Sequence, residues 1–432
     1  MTAPARASLP DVLPIEPRRT PVCGTARPPG SKSYTNRALV LAALAAGRSR
    51  IDGALFSDDT LHMARSLGGL GVRVDADEAV ERFEVDGCGG KLPVDRAAVF
   101  VGNSGTTARF LVPVMALGTG TFELAGDEAM AKRPIQPLLD AMGSLGVHAV
   151  SVRGNGCPPV RVESSGFEGG RVRMPGGISS QYFSALLMVA PCTRRGMTLE
   201  VEGDLVSKPY IEVTAQAMAA FGVRFENHAY ARFEVKPAPY RATTYLVEPD
   251  ASAASYFFAA AAVTGGRVVV PGLGARSLQG DLRFVRLLER MGCQVRQSDT
   301  ETEVIGPAKL TGIEADMADV SDTAQTLAAI APFADRPTRV TGIGFIRRKE
   351  TDRVAAVVAE LRRMGIRAEE EDDGFVVHPG TPQPADVETY DDHRMAMSFS
   401  ITGLAAPGGI RIRNPACVSK TFPHFFDVLA RV

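Results

Sequence analysis

Two rhythms of apolar and polar residues recur together along the chain. One is an amphipathic helical run that ends on glycine and passes into an alternating stretch: "SLGGLGVRV" at Gly71, "MGSLGVHAV" at Gly146, "MAAFGVRFE" at Gly222, "LLERMGCQV" at Gly292 and "LRRMGIRAE" at Gly365. The intervals are 75, 76, 70 and 73 residues. Each predicts a surface helix with one apolar stripe, a glycine able to take the left-handed conformation at its end, and then a strand. Between these lie polar turns that open short, Ala-rich runs at Lys32 ("GSKSYTNRALVLAALAA"), Thr106 ("GNSGTTARFLVPVMAL"), Ser180, Ser252, Asp322 and His393. Their intervals are 74, 74, 72, 70 and 71. Such small-residue apolar runs predict buried helices. Fixed periods of this length mark repeats, so the chain reads as six α/β units.

The first series lacks a sixth member. Its helix would be "PHFFDVLARV" at the C-terminus, and the strand that should follow it can come from "VLPIEP" near the N-terminus. The two ends then meet in one discontinuous domain, residues 1–29 plus 249–432, into which a domain of three repeats, 30–248, is inserted. The run "PAPYRATTYLVEPD", 237–250, is the second crossing. Three parallel buried helices in each domain would gather N-termini, with their unpaired N–H groups and partial positive charge, at one end. Two such ends facing each other make a cleft for anions, and function is expected there.

Composition narrows the classes. With 432 residues, 45% hydrophobic and 22% charged, the chain can bury two cores. Lys+Arg 48 against Asp+Glu 49 leaves no basic bias toward nucleic acid or an anionic membrane, so anions must be met locally. The longest apolar stretch, around Tyr256 to Val263, is too short to span a bilayer, and the first 20 residues contain no apolar signal core. A cytoplasmic protein is expected. Cys23, Cys88, Cys157, Cys192, Cys293 and Cys417 form no CxxC pair, which argues against a disulfide framework or a zinc site; no metal and no cofactor is expected.

The opening turn "PPGSKSYTNR" is not a Walker loop. Gly24 and Gly30 are separated by five residues, Ser31 intervenes before Lys32, and Pro28 and Pro29 have no N–H to offer a phosphate. It does put Lys32, Ser33 and Arg37 at a helix mouth, where Ser33 either caps the helix or meets a ligand. Other cations sit at comparable turns: Arg133, Lys208 (with Ser207 and Tyr210), Arg347, Lys349, Arg353, Arg394 and Lys420. A charge at the start of a buried helix is costly unless something meets it. Carboxylates gather in the last three turns, at Asp250, Asp322 and the Asp391, Asp392, His393 group. Asp250 and Asp352 read as helix caps; Asp322 and Glu350, each beside several cations, read as acid/base groups.

Taken together, "PGSKSYTNRALVLAALA", "GNSGTTARF", "KRPI", "SSQYFSALLM", "SKPYIEVT", "DASAASYF", "RRKETDR", "DDHRMAMSFS" and "SKTFPHFF" resemble the enolpyruvyl transferases, in family order and over nearly the whole chain. Within that family they are most similar to the branch that uses shikimate 3-phosphate. The resemblance implies an inside-out α/β barrel in each of two similar domains, with the active site in the cleft between them. It implies transfer of the enolpyruvyl group of phosphoenolpyruvate to the 5-hydroxyl of shikimate 3-phosphate, by a cytoplasmic monomer without nucleic-acid or membrane partners. By the same resemblance Lys32 touches both substrates. Ser33, Arg37, Ser179, Ser180, Gln181, Ser207, Tyr210 and Lys349 meet shikimate 3-phosphate, and Asp322 holds the reacting hydroxyl. Gly105, Arg133, Arg353, Arg394 and Lys420 meet phosphoenolpyruvate, with Lys32, Asp322 and Glu350 as the proton-handling set.

Two positions depart from the family pattern. Phe345 stands where many members have Asn, and Phe110 replaces a Pro in the run "NSGTTARFL", behind the pocket that the family's inhibitor glyphosate enters. The sister branch that uses UDP-N-acetylglucosamine places a reactive Cys before its Arg-Pro turn, whereas "AGDEAMAKRPIQ" has none. A non-catalytic phosphate-metabolite sensor is the rival of another class, disfavoured by the presence of Lys32, Asp322 and Glu350.

Overall fold

The computed structural model of the protein describes residues 9–432; the first eight residues of the expected discontinuous domain lie outside the described residues. In chain order the α-helices are α1 (Lys32–Leu44), α2 (Asp58–Gly69), α3 (Gly105–Met115), α4 (Gln136–Ser144), α5 (Ser180–Val189), α6 (Pro209–Ala220), α7 (Ala251–Thr264), α8 (Phe284–Arg290), α9 (Ala324–Ile330), α10 (Arg353–Arg363), α11 (His393–Ala405) and α12 (Phe425–Arg431).

The odd-numbered helices are the Ala-rich runs, and they bury nearly every residue: Tyr34 to Leu44 in α1, Ala251 to Ala262 in α7, His393 to Leu404 in α11. Small side chains let such helices pack together with polar turns only at their ends. The even-numbered helices bury one stripe; in α10 it runs through Val354, Val357, Val358 and Leu361, with Arg362 and Arg363 in the last turn. Gly71, Gly146, Gly222, Gly292 and Gly365, just past the ends of α2, α4, α6, α8 and α10, take φ of +84°, +83°, +86°, +100° and +76°, as the left-handed stop requires.

Each repeat carries a small sheet. Thr119–Ala125, the strand after α3, pairs in parallel with Arg96–Phe100 before it and antiparallel with Val160–Ser165, and His148–Ser151 forms the far edge. Five sheets share this order. The chain groups into two compact units, one of residues up to Pro29 with Glu248–Val432, the other Gly30–Val247. The grouping differs by one residue from the expected boundary. Glu248 belongs with the first unit, where its carboxylate accepts from Ser277 Oγ (2.7 Å) and Gln279 Nε2 (2.8 Å).

Both crossings are strands, each paired inside its own unit. Cys23–Thr25 runs parallel to Arg267–Pro271, with Gly24 opposite Val268; Thr244–Leu246 runs parallel to Ala46–Asp52, with Tyr245 opposite Ile51. The sixth sheet corrects the sequence reading. Val12–Ile15 does join it, antiparallel to Ile410–Arg413, which also pairs in parallel with Asp386–Val387. It thereby occupies the return-strand position, not the edge position that directly follows a surface helix elsewhere. Among the described residues this sheet stays three-stranded. Arg18 fastens α12 instead, donating from Nη2 to the carbonyls of Leu429 (3.2 Å) and Val432 (2.6 Å). Among the described residues no helix is long and apolar enough to cross a membrane.

Candidate active site

In the unit Gly30–Val247, α1 starts from a turn that only glycine can make: a Cβ on Gly30 would lie 1.9 Å from the Gly53 carbonyl oxygen. That explains the spelling "PPGSKS". The N-cap is Ser31, whose side chain makes no cap bond. Ser33 lies inside the first turn, so it is not the cap. Lys32 Nζ sits 3.2 Å from Oδ2 of Asp59, a buried carboxylate in the first turn of α2. The Asp59 carbonyl accepts the Thr107 hydroxyl (3.2 Å), which ties this pair to the mouth of α3. Asp59 escaped the sequence reading because "SDDT" reads like any acidic helix start; only the fold supplies its cation.

Arg37 is 1% exposed, and among the described residues no carboxylate is a hydrogen-bond partner of it. Its Nε donates to Thr214 Oγ1 (2.7 Å), Nη1 to the Ser33 carbonyl (3.0 Å), and Nη2 to Ser184 Oγ and the Tyr210 carbonyl (both 3.2 Å). The guanidinium lies 5.1 Å from the centroid of the Phe110 ring, so the residue that departs from the family pattern supports this buried cation with its π-face. Burial pulls Arg37 down to about 10. The remaining donors and N-termini lie close by. Ser104 caps α3, and Gly105 opens it directly beneath Arg133; a Cβ on Gly105 would lie 2.6 Å from Arg133 Nη2 and 2.7 Å from its Cζ. Arg133 Nη1 is fixed by the Asn103 carbonyl (3.2 Å) and Oδ1 (3.1 Å).

Ser179 caps α5 by accepting the Gln181 N–H (3.3 Å), and Ser180 is buried behind it. Gln181 is oriented on both sides, accepting from Arg109 Nη1 at 2.6 Å and donating to Thr106 Oγ1 at 3.3 Å. Arg109 also escaped the sequence reading, although it lies inside a quoted motif. Ser207 adopts a left-handed φ of +55°, an expensive conformation for serine, and its carbonyl accepts the Tyr210 N–H (3.1 Å). Lys208 turns away, to 5.7 Å from the Tyr230 ring.

In the other unit the centre is Asp322. Its Oδ2 accepts from Arg394 Nη2 (2.6 Å), while Oδ1 accepts from Arg353 Nη1 (3.3 Å) and Lys349 Nζ (3.4 Å). Arg353, 1% exposed at the start of α10, also donates from Nη2 to Glu350 Oε2 (2.8 Å) and from Nε to Asp392 Oδ2 (2.7 Å). One guanidinium therefore holds both expected acid/base carboxylates. Burial alone would lower Arg353, but Asp392, Glu350 and Asp322 together hold it above the usual arginine range. Burial also lowers Lys349, against the pull of Asp322.

The remaining residues of this unit separate into site and scaffold. Phe345 provides a ring 5.9 Å from Lys349 Nζ where an asparagine would provide an amide. Lys420 is buried at the end of the short helical stretch Pro415–Lys420. Asp250 and Asp352 are caps, accepting from the N–H groups of Ala253 (2.8 Å) and Ala355 (3.0 Å). Arg347 is spent on Asp352 and Glu370.

A third carboxyl was not anticipated. Asp281 is buried, accepts a hydrogen bond from Ser252 Oγ at the mouth of α7, and is pushed up to about 7 by burial first and the nearby Asp322 second. The folded chain then keeps a proton that the unfolded chain, with a pKa of about 4, gives up. Unfolding free energy from this group should fall as pH rises from about 4 to about 7. Chemical denaturation across that range should show stability falling less, or rising more, with pH in Asp281→Asn than in the unsubstituted protein; an unchanged slope would assign the effect to other groups.

One cluster thus offers helix N-termini, hydroxyls and cations suited to phosphate and carboxylate, and the other offers cations plus two carboxylates able to exchange protons. Comparison with known proteins agrees with that chemistry. The family described as EPSP synthase (3-phosphoshikimate 1-carboxyvinyltransferase) matches residues 17–429. A 3-phosphoshikimate 1-carboxyvinyltransferase of Nostoc punctiforme is 48% identical over 418 residues, 96% of this chain and 98% of the relative; one of Shewanella loihica is 44% identical over 414 residues, 95% and 96%. Among solved structures, an EPSP synthase from Acinetobacter baumannii superposes with a TM-score of 0.81 at 24% identity, covering 97% of this chain and 98% of its own. The enolpyruvyl transferase NikO from Streptomyces tendae superposes at 0.79 with 20% identity, covering 97% of each; both share the two-domain inside-out α/β fold. With full-length relatives of one name and a family match across both clusters, the chain belongs to the EPSP (5-enolpyruvylshikimate-3-phosphate) synthase family.

Proposed function

We propose that the protein transfers the enolpyruvyl group of phosphoenolpyruvate to the 5-hydroxyl of shikimate 3-phosphate and releases phosphate, in the cytoplasm and as a monomer, with no metal or cofactor. The observation that carries the mechanism is Arg353, whose guanidinium meets Asp322 at 3.3 Å and Glu350 at 2.8 Å. In the addition step the hydroxyl oxygen bonds to C2 of phosphoenolpyruvate, its proton passes to Asp322, and Glu350 delivers a proton to the methylene carbon. In the elimination step the methyl carbon returns a proton to Glu350 while the bond from C2 to the phosphate oxygen breaks, and the departing phosphate takes the proton held on Asp322. Lys32, anchored on Asp59, serves as cation and proton shuttle.

Ser33, Arg37, Ser179, Ser180, Gln181, Ser207, Tyr210 and Lys349 hold shikimate 3-phosphate. Gly105 leaves room for Arg133, which with Arg353, Arg394 and Lys420 pairs the phosphate and carboxylate of phosphoenolpyruvate; arginine's fork suits both anions. Preorganised cations stabilise the charge that develops during addition. Since the groups lie on two units, 1–29 with 249–432 and 30–248 as read from the sequence, turnover on this reading requires both to act on one substrate pair and exclude water.

The test is phosphate release from phosphoenolpyruvate with either acceptor. Turnover is expected with shikimate 3-phosphate and not with UDP-N-acetylglucosamine. Turnover with the nucleotide sugar alone would move the protein to the sister branch, and ligand binding without turnover would favour a sensor.

A further inference from the structure

Glu360 lies on α10, seven residues and so about two helical turns beyond Arg353, on the same face. Its carboxylate is 0% exposed and richly bonded. Oε1 accepts the Tyr390 hydroxyl (2.7 Å) and Arg363 Nη2 (3.3 Å); Oε2 accepts Arg363 Nε (2.9 Å) and the Glu388 N–H (3.0 Å). A charge is buried here to hold the segment 388–391, and that segment is strained. Tyr390 and Asp391 both take φ of +54°, the left-handed region that disfavours side chains with a Cβ. Asn414 Nδ2 donates to Asp391 Oδ1 (3.1 Å) from the other side.

The strained turn delivers Asp392. Asp392 is 0% exposed, its N–H bonds back to the Thr389 carbonyl (2.9 Å), and its carboxylate accepts from Arg353 (2.7 Å) and from the Arg394 N–H (2.8 Å). One face of α10 therefore grips a single short segment twice, by Arg353 on Asp392 and by Glu360 on Tyr390 and Glu388. We propose that Glu360 is a positioning residue for the reaction: it holds the turn 388–391, left-handed at Tyr390 and Asp391, so that Asp392 fixes the Arg353 guanidinium for phosphoenolpyruvate and caps the helix that carries Arg394. The inference deepens the function proposed above and rests on it for the identity of the ligand.

Glu360→Ala removes both oxygens, which leaves the Tyr390 hydroxyl and the Glu388 N–H without the acceptor that holds them, and the turn relaxes. The expected result is a rise in KM for phosphoenolpyruvate of roughly tenfold, with KM for shikimate 3-phosphate within about twofold on the same reasoning. Adding Asp391→Gly, which takes a positive φ without strain, should recover most of the loss. A merely structural role would not give that rescue. Tyr390→Phe removes only the hydroxyl of a side chain 37% exposed, so it keeps the test open if Glu360→Ala fails to fold, and the same selective rise is expected. An unchanged KM for phosphoenolpyruvate, or equal changes in both KM values, would overturn the proposal. A crystal structure of the variant that retains both positive φ angles and the Asp392–Arg353 pair would overturn it too. Absence of turnover in the unsubstituted enzyme would instead sink the functional reading, and the crystallographic arm would still decide the clamp.

Discussion

Glu350→Gln should lower kcat by about 10²–10⁴-fold, the range for one general acid or base, while leaving both KM values within a few fold. Glutamine keeps the shape and the oxygen that accepts from Arg353 Nη2 at 2.8 Å, so the cation should stay in place. Asp392 and Asp322 continue to hold Arg353 as well. What the amide cannot do is carry a proton to and from carbon. Steady-state turnover measures the loss, and exchange of solvent deuterium into the methylene group of phosphoenolpyruvate measures its cause. Both should fall together. A variant that turns over slowly but still exchanges deuterium at the normal rate would place the carbon proton on another group, with Lys32 the next candidate.

Gly105→Ala should raise KM for phosphoenolpyruvate by roughly 10- to 100-fold, since a displacement of about 1 Å at a positioning group can cost 10²-fold. The added methyl would fall 2.6 Å from Arg133 Nη2 and 2.7 Å from Cζ, far inside contact distance. Arg133 must move, and its two bonds to Asn103 limit where it can go. Ser179 caps α5 and Ser180 opens it, while the three atoms nearest a methyl on Gly105 all belong to Arg133, so KM for shikimate 3-phosphate should change much less. Because one clash carries the effect, the cost of Gly105→Ala combined with Arg133→Lys should be less than the sum of the two single costs. Strict additivity would mean that the methyl acts on the ligand directly and not through the arginine.

Much of this was legible in the sequence because the fold repeats. Five glycines at helix ends and six Ala-rich runs carry their periods openly, and local chemistry explains both: the left-handed stop at Gly71 and its counterparts, and the burial of α7 from Ala251 to Ala262. The cations followed, since Lys32 and Arg394 lie in the first turns of buried helices and Arg353 opens the half-buried α10. Asp59, Arg109, Asp281 and Glu360 did not follow. Each is an ordinary residue locally and becomes informative only through a partner distant in the chain, as Asp59 does through Lys32 and Glu360 through Tyr390. The misplacement of Val12–Ile15 has the same origin. Its pattern says strand, while its position in the sheet is set by Ile410–Arg413, which no local rule relates to it.

That pairing also sets an order of events during synthesis. Residues 30–247 contain every strand of their three sheets, the crossing strand Thr244–Leu246 included. The ribosome can therefore release a segment whose sheets can all close before the rest of the chain exists. Val12–Ile15, made first, has no partner until Ile410–Arg413 emerges. With about 400 residues between them and synthesis at roughly 5–20 residues per second, this strand waits on the order of 20–80 s. During that time its unpaired edge must be shielded, by a chaperone or by its own brevity, and folding yield should depend on how quickly the C-terminal residues follow.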